Sequence, residues 1–251
     1  MKALFALALL LAAPAYAETP DQLYADGKYD ESIAAALAQN DAAGFVAAAR
    51  ATLAAETSGD APCLECLNRA EDFARRAIAA DPDLPDAQLC FAVSLGLKEH
   101  IEGPVVARLN NYPEKAKRAI DAAEAADPNN PWTLAALGGW NIEVVNHGGA
   151  ALANWIYGAN IKRGLKDFAA AFKAAPDNIV MRYQYALTLS DYDAVRFHDE
   201  IAVALTKVVG GAAETVYARL LQKRAGELLE LLKKGDRDAY AARVQKFEGY
   251  P

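Results

Sequence analysis

Three prolines punctuate this chain, and what surrounds each of them repeats. Pro82, Pro128 and Pro176 each follow an alanine-rich stretch, in Ala79-Ala80-Asp81-Pro82, Ala125-Ala126-Asp127-Pro128 and Ala174-Ala175-Pro176. Five residues before each proline stands an alanine (Ala77, Ala123, Ala171), and twelve before it a small residue (Ala70, Ala116, Gly164). Nine residues after it comes a large apolar side chain (Phe91, Leu137, Tyr185), and ten after it a small one (Ala92, Gly138, Ala186). Alanine is the best helix former. Proline cannot donate the next backbone bond and clashes with the preceding turn, so it ends the helix. Small residues at fixed places let antiparallel helices approach closely, with the large neighbour filling the groove between them. No alternating run of β-branched residues competes with this pattern, so the expected class is all-α.

The pattern resembles the tetratricopeptide repeat, a helix–turn–helix unit with small residues at matching positions and a proline after the second helix. The segment Gly27-x-Tyr29-x-x-Ser32 also looks like that family's entry into a second helix. The proline spacings of 46 and 48 residues exceed the family's ~34. The excess falls around Lys98 to Tyr112 and Asn146 to Ile161, where long connectors or lengthened helices are expected. A narrower resemblance lies in Leu137-Gly138-x-Trp140, Glu143-Val144, Tyr157-Gly158 and Phe168-x-x-Ala171 before Pro176. These residues look like the repeat region of the regulator-of-microtubule-dynamics family and its bacterial relatives, which implies extended repeat pairs. Together the resemblances imply an all-α, right-handed solenoid of tetratricopeptide-like antiparallel helix pairs with long inserts. Such a domain is expected over 18–211, with more highly charged capping helices over 212–251. The expected helices fall near 20–26, 29–38, 42–56, 65–80, 86–98, 113–126, 132–146, 149–158, 163–175, 179–190, 194–209, 213–233 and 237–247.

The first seventeen residues read as an export signal. Lys2 precedes an apolar run from Ala3 to Ala13, and Ala15-Tyr16-Ala17 offers a signal peptidase its small residues, with a cut expected after Ala17. That run falls well short of the roughly 20 residues that span a bilayer, so no stable membrane insertion is expected. The expected location is periplasmic or secreted. A net charge of −7 argues against nucleic acid, whose phosphates need clustered positive charge.

Outside the cytosol an oxidised cysteine pair is expected. Cys63 and Cys66 lie at the start of one helix and Cys90 on the next. If the two helices fold back about Asp81-Pro82-Asp83, Cys90 sits about nine residues, or ~13 Å at ~1.5 Å per residue, from the level of Cys66. A disulfide needs its Cα atoms within ~7 Å, so the expected bond is Cys63–Cys66, with Cys90 a free, buried thiol. A redox Cys-x-x-Cys is the functional alternative, although no strand-rich thioredoxin-like pattern surrounds it. His100, His147 and His198 are far apart in sequence and none has a partner at i+3 or i+4. No nucleophile elbow, phosphate loop or dinucleotide fingerprint is present. Neither a metal site, nor a cofactor, nor an enzymatic reaction is expected.

The segment 132–155 holds all three tryptophans. Trp140, Asn141, Glu143, His147, Trp155, Tyr157 and Tyr185 form the candidate binding set. Aromatic walls with a few amides and a carboxylate suit a peptide or small organic ligand; the same aromatics also suit a wedge between helix pairs. The leading expectation is an exported scaffold that binds a protein or peptide partner in the cell envelope. The alternative is a periplasmic small-molecule binding component associated with a transporter, to which a third, similar group of helical-repeat proteins belongs. An enzyme would come back into view if Glu143, His147 and another acid met in one closed cleft.

Overall fold

A computed structural model of the chain describes residues 17–59 and 63–250. The expected export segment lies outside these residues except for Ala17. Among the described residues there are thirteen helices and no strand: α1 (Pro20–Ala25), α2 (Tyr29–Gln39), α3 (Ala42–Ser58), α4 (Leu64–Ala80), α5 (Pro85–Leu109), α6 (Tyr112–Ala126), α7 (Pro131–Gly148), α8 (Ala150–Tyr157), α9 (Ile161–Ala174), α10 (Ile179–Asp193), α11 (His198–Gly210), α12 (Val216–Lys234) and α13 (Arg237–Glu248). None is long and apolar enough to cross a membrane.

Local chemistry sets most of the boundaries. Asp41, Asn160, Asn178, Thr215 and Asp236 cap their helices by accepting a hydrogen bond from a first-turn amide, and Asn130 caps α7 through both Trp132 and Thr133. Such a cap satisfies an amide that has no partner inside the helix. Pro85, Pro113 and Pro131 occupy first-turn positions, where the missing N–H costs nothing.

The helices pair as the repeating prolines imply. The most extensive interfaces are α3 with α4, α5 with α6 and α7 with α9. All nine small residues that recur around the prolines are buried: Ala70, Ala77, Ala92, Ala116, Ala123, Gly138, Gly164, Ala171 and Ala186. The closest approach is between α7 and α9. A Cβ added at Gly138 would lie 2.6 Å from Phe168 Cδ2, and one at Gly164 would lie 2.8 Å from the Gly138 carbonyl oxygen. Only glycine permits that contact without a shift.

The two stretches of excess sequence are helical. The first extends α5 to Leu109, past the expected end near 98, because the chain bends at Gly103 and resumes at Pro104. Gly103 takes a φ of 81°, a left-handed conformation that glycine reaches without steric penalty. The second is α8, laid between the two helices of a pair.

Two large apolar clusters share α7. One gathers Phe91, Leu95, Ile120, Leu137 and Trp140. The other gathers Ile142, Phe168, Tyr183, Leu205, Leu221 and Leu228 with Ala54 from α3. That last residue marks a closure of the stack: α12 turns back onto α3. Arg224 donates to the carbonyl of Thr57 at 2.6 Å, and the Thr57 hydroxyl bonds the Tyr217 hydroxyl at 3.2 Å.

Candidate functional site

The seven residues singled out in sequence do not share one wall. Trp140 is 8 % exposed; its indole N–H donates to the Pro113 carbonyl at 3.1 Å, and its ring meets the Tyr157 ring edge-on at 5.8 Å. Asn141 is buried beside it and donates to the Leu137 carbonyl at 2.9 Å and to Asp167 at 3.3 Å. Tyr157 donates to Glu114 at 2.7 Å, and Arg108 bonds both of them. Tyr185 lies in the other cluster, against Phe168 and Phe172 with ring centroids 4.9 and 5.3 Å away. Trp155 stands on α8 at 82 % exposure. Cys63 and Cys66 are disulfide-bonded at the start of α4, while Cys90 is free and partly buried where three apolar clusters meet.

Glu143 and His147 stand elsewhere, in a polar cluster, and this corrects the view of the histidines as solitary. One turn of α7 brings Glu143 Oε2 to 3.9 Å from His147 Nε2. His147 Nδ1 donates to Glu99 at 3.0 Å, and its Nε2 accepts from the Tyr250 hydroxyl at 3.2 Å. The His100 and His147 ring centroids are 6.3 Å apart, and His100 stacks on Tyr250 at 4.5 Å. The sequence separation hid this contact, which exists because the stretch of α5 before its bend packs beside α7. From α10 comes Asp191, which accepts from Asn146 at 2.5 Å. Oxygens of Glu143 and Asp191 and a ring nitrogen of His147 all lie within 4.8 Å of one another. From the end of α13 comes Glu248, 8 % exposed.

Charge is crowded here. Burial pushes the Glu143 carboxyl up to about 7, with the charges of Asp191 and Glu99 adding to the shift and that of His147 opposing it. Burial also raises Glu248 well above the carboxylate range, helped by Glu143 and Asp191. The hydrogen bond to Glu99 lifts His147, whereas burial lowers His100. On its other side Glu248 borders a separate cavity of about 30 Å³ lined by Leu67, Leu97, Ile101 and Phe247, room for about one water.

A second feature lies on the opposite stretch of the repeat. A groove of about 450 Å³ runs between α4, α5 and α6, lined by Ile78, Ala79, Phe91 and Ala119 with Arg75, Lys115 and Arg118 at its rim. The Arg75 guanidinium lies 4.5 Å from the centre of the Phe91 ring, within cation–π range. Arg75 pairs with Glu71; among the described residues, Lys115 and Arg118 have no ion pair. The inserts add exposed apolar residues: Val105 and Leu109 on α5, and Leu152, Trp155 and Ile156 on α8.

Sequence reasoning did not reach Glu99, Asp191, Glu248 or Tyr250. The one local signal was the i, i+4 spacing of Glu143 and His147. For the groove, the signal was Lys115 and Arg118 at i, i+3 on one helix face. No curated protein matches the chain. A family model does, and with it the extended helix pairs acquire a context: matched over residues 17–232, this chain belongs to the family described as regulator of microtubule dynamics protein 1-3.

Proposed function

We propose that the protein is an exported helical scaffold that binds a protein or peptide segment in the cell envelope. The family supports a helical interaction domain, and the N-terminal sequence supports export. The observation that carries the reading is the groove between α4, α5 and α6. It combines an apolar floor at Phe91 and Ile78 with basic groups at its rim. An extended segment with an apolar anchor flanked by acidic residues is complementary to it, since opposite charge across an interface raises association rate and specificity. Nothing in such binding requires a reaction.

A photo-crosslinking residue placed at Ala79, on the groove lining, tests the reading in cells. The expected result is a discrete adduct that disappears in a Lys115→Glu/Arg118→Glu double variant that folds normally. The reading fails if the adduct persists unchanged in that variant. The groove's volume also falls in the ~300–1,000 Å³ range of small-molecule sites, which favours a small anionic ligand as the second reading. Native mass spectrometry of the purified chain separates the two: a stoichiometric bound small molecule supports the carrier and counts against the scaffold.

A further inference from the structure

The polar cluster on α7 contains more charge than folding alone explains. Four carboxylates, Glu99, Glu143, Asp191 and Glu248, and two imidazoles converge from α5, α7, α10 and α13. Buried carboxylates are ordinarily paired or fully hydrogen-bonded, because moving an unpaired charge out of water is costly. Here Oε2 of Glu143 and Oε2 of Glu248 have no hydrogen-bond partner among the described residues. Glu248 is nine-tenths buried and lies close enough to Glu143 and Asp191 to interact with both charges.

The arrangement around His147 has direction as well as charge. Its Nδ1–H is engaged by Glu99 at 3.0 Å, so in the neutral ring the lone pair is on Nε2. That nitrogen faces Glu143. A carboxylate behind a histidine, fixing the tautomer and raising the basicity of the far nitrogen, is the support that metal-ligating histidines almost always have. Asp191 is held in the same way from behind, by the Asn146 amide at 2.5 Å.

We propose that Glu143, His147 and Asp191 bind a divalent cation of the zinc class, with Glu99 and Asn146 as positioning residues and Glu248 as the adjacent fourth carboxylate. An imidazole nitrogen among carboxylate oxygens suits zinc and its neighbours, whereas calcium and magnesium take oxygen ligands. The cation replaces the Tyr250 hydroxyl on Nε2 and neutralises the facing carboxylates. It ties α7 to α10. Its role is structural: two places more than forty residues apart in sequence are held by one ion. A second trio, Glu56, Cys63 and Cys66, also clusters, but its sulfurs are joined in a disulfide and are not thiolate ligands.

The test is calorimetric titration of the full, oxidised chain, first stripped with a chelator, with zinc chloride at neutral pH. The expected result is one equivalent bound, with a rise in thermal midpoint, since a ligand that binds only the folded state stabilises it. Glu99→Gln should weaken binding by ~10–100-fold, the usual effect of losing a supporting group, and Asp191→Asn and His147→Ala should weaken it further. His198→Ala, at an exposed histidine on α11, should bind as the unaltered chain does. Circular dichroism establishes that each variant is folded; Asp191→Asn, nearly isosteric, decides the matter if His147→Ala is not. A stripped chain that takes up no zinc overturns the proposal. So does an Asp191→Asn variant that binds as tightly as the unaltered chain, or selective uptake of calcium over zinc.

Discussion

Lys98 on α5 places its ammonium 2.9 Å from a carboxylate oxygen of Glu71 on α4, with both side chains largely withdrawn from water. The pair bolts adjoining repeat units together, and the Tyr112 ring lies 5.1 Å from the ammonium. Burial alone would raise the Glu71 carboxyl, but hydrogen bonds from Lys98 and Arg75 outweigh it and hold the group below its ordinary value. A carboxylate with a depressed folded pKa contributes stability above its unfolded pKa and loses it as pH falls through the folded one. Glu71→Gln should therefore cost about 2–3 kcal/mol at neutral pH, somewhat under the ~3–5 kcal/mol of a fully buried pair. The difference in thermal midpoint between the two proteins should shrink as pH is lowered below 4.5, the ordinary carboxyl value. A difference that stays constant with pH would exclude the ion pair as its source.

Gly138→Ala should be destabilising although alanine favours helix. The added methyl would meet the Phe168 ring at 2.6 Å, and overpacking of this kind costs typically ~1–3 kcal/mol, against a gain of about 1 kcal/mol in helix propensity. Urea titration should show a lower midpoint with an unchanged slope. Gly226→Ala, at a helix position where an added Cβ meets nothing within 4 Å, should raise the midpoint.

Trp140 and Trp155 should behave oppositely. Trp140 is enclosed and its indole hydrogen-bonded, so Trp140→Ala should remove ~3–5 kcal/mol of stability. Trp155 is exposed, and Trp155→Ala should change stability by no more than about 0.5 kcal/mol. Acrylamide quenching of fluorescence offers a second readout: loss of Trp155 should remove the most accessible emission and loss of Trp140 the least. A stable, cooperatively folded Trp140→Ala protein would show the aromatic wedge to be dispensable.

Cys90 should be chemically quiet in the native protein. Burial pushes its thiol up to about 12, and the thiolate is the reactive form. Thiol titration should count one group per chain under denaturing, non-reducing conditions and almost none in the native state. Three groups under denaturing conditions would mean that Cys63 and Cys66 are not bonded.

How much of this was legible beforehand follows from which forces act locally. Capping residues, alanine-rich stretches and terminating prolines act within a few residues. Most helix boundaries in the sequence therefore agree with the structure to within two or three positions. The largest departure, the extension of α5 to Leu109, depends on a bend at Gly103 that helix periodicity does not register, and α11 begins at His198, four residues after its expected start. The recurring small residues likewise announced close helix approach, because only a missing side chain permits Gly138 and Gly164 to touch across α7 and α9.

The sites were less legible, for a geometric reason. Trp140 and Trp155 are fifteen residues apart and equally aromatic, yet one is core and the other surface; burial depends on which neighbours cover a face, and composition does not say. Glu99, His147, Asp191 and Glu248 carry no shared motif. They meet because the middle of α5, just before its bend, comes to the same place as the ends of α7, α10 and α13, and that convergence follows from how the whole set of helices packs. By itself the sequence determined the helices, their pairing and their closest contacts, through short-range backbone and steric preferences. Only the tertiary structure decided which charges face each other and which apolar faces lie open beside basic groups, because both depend on contacts between helices far apart in sequence.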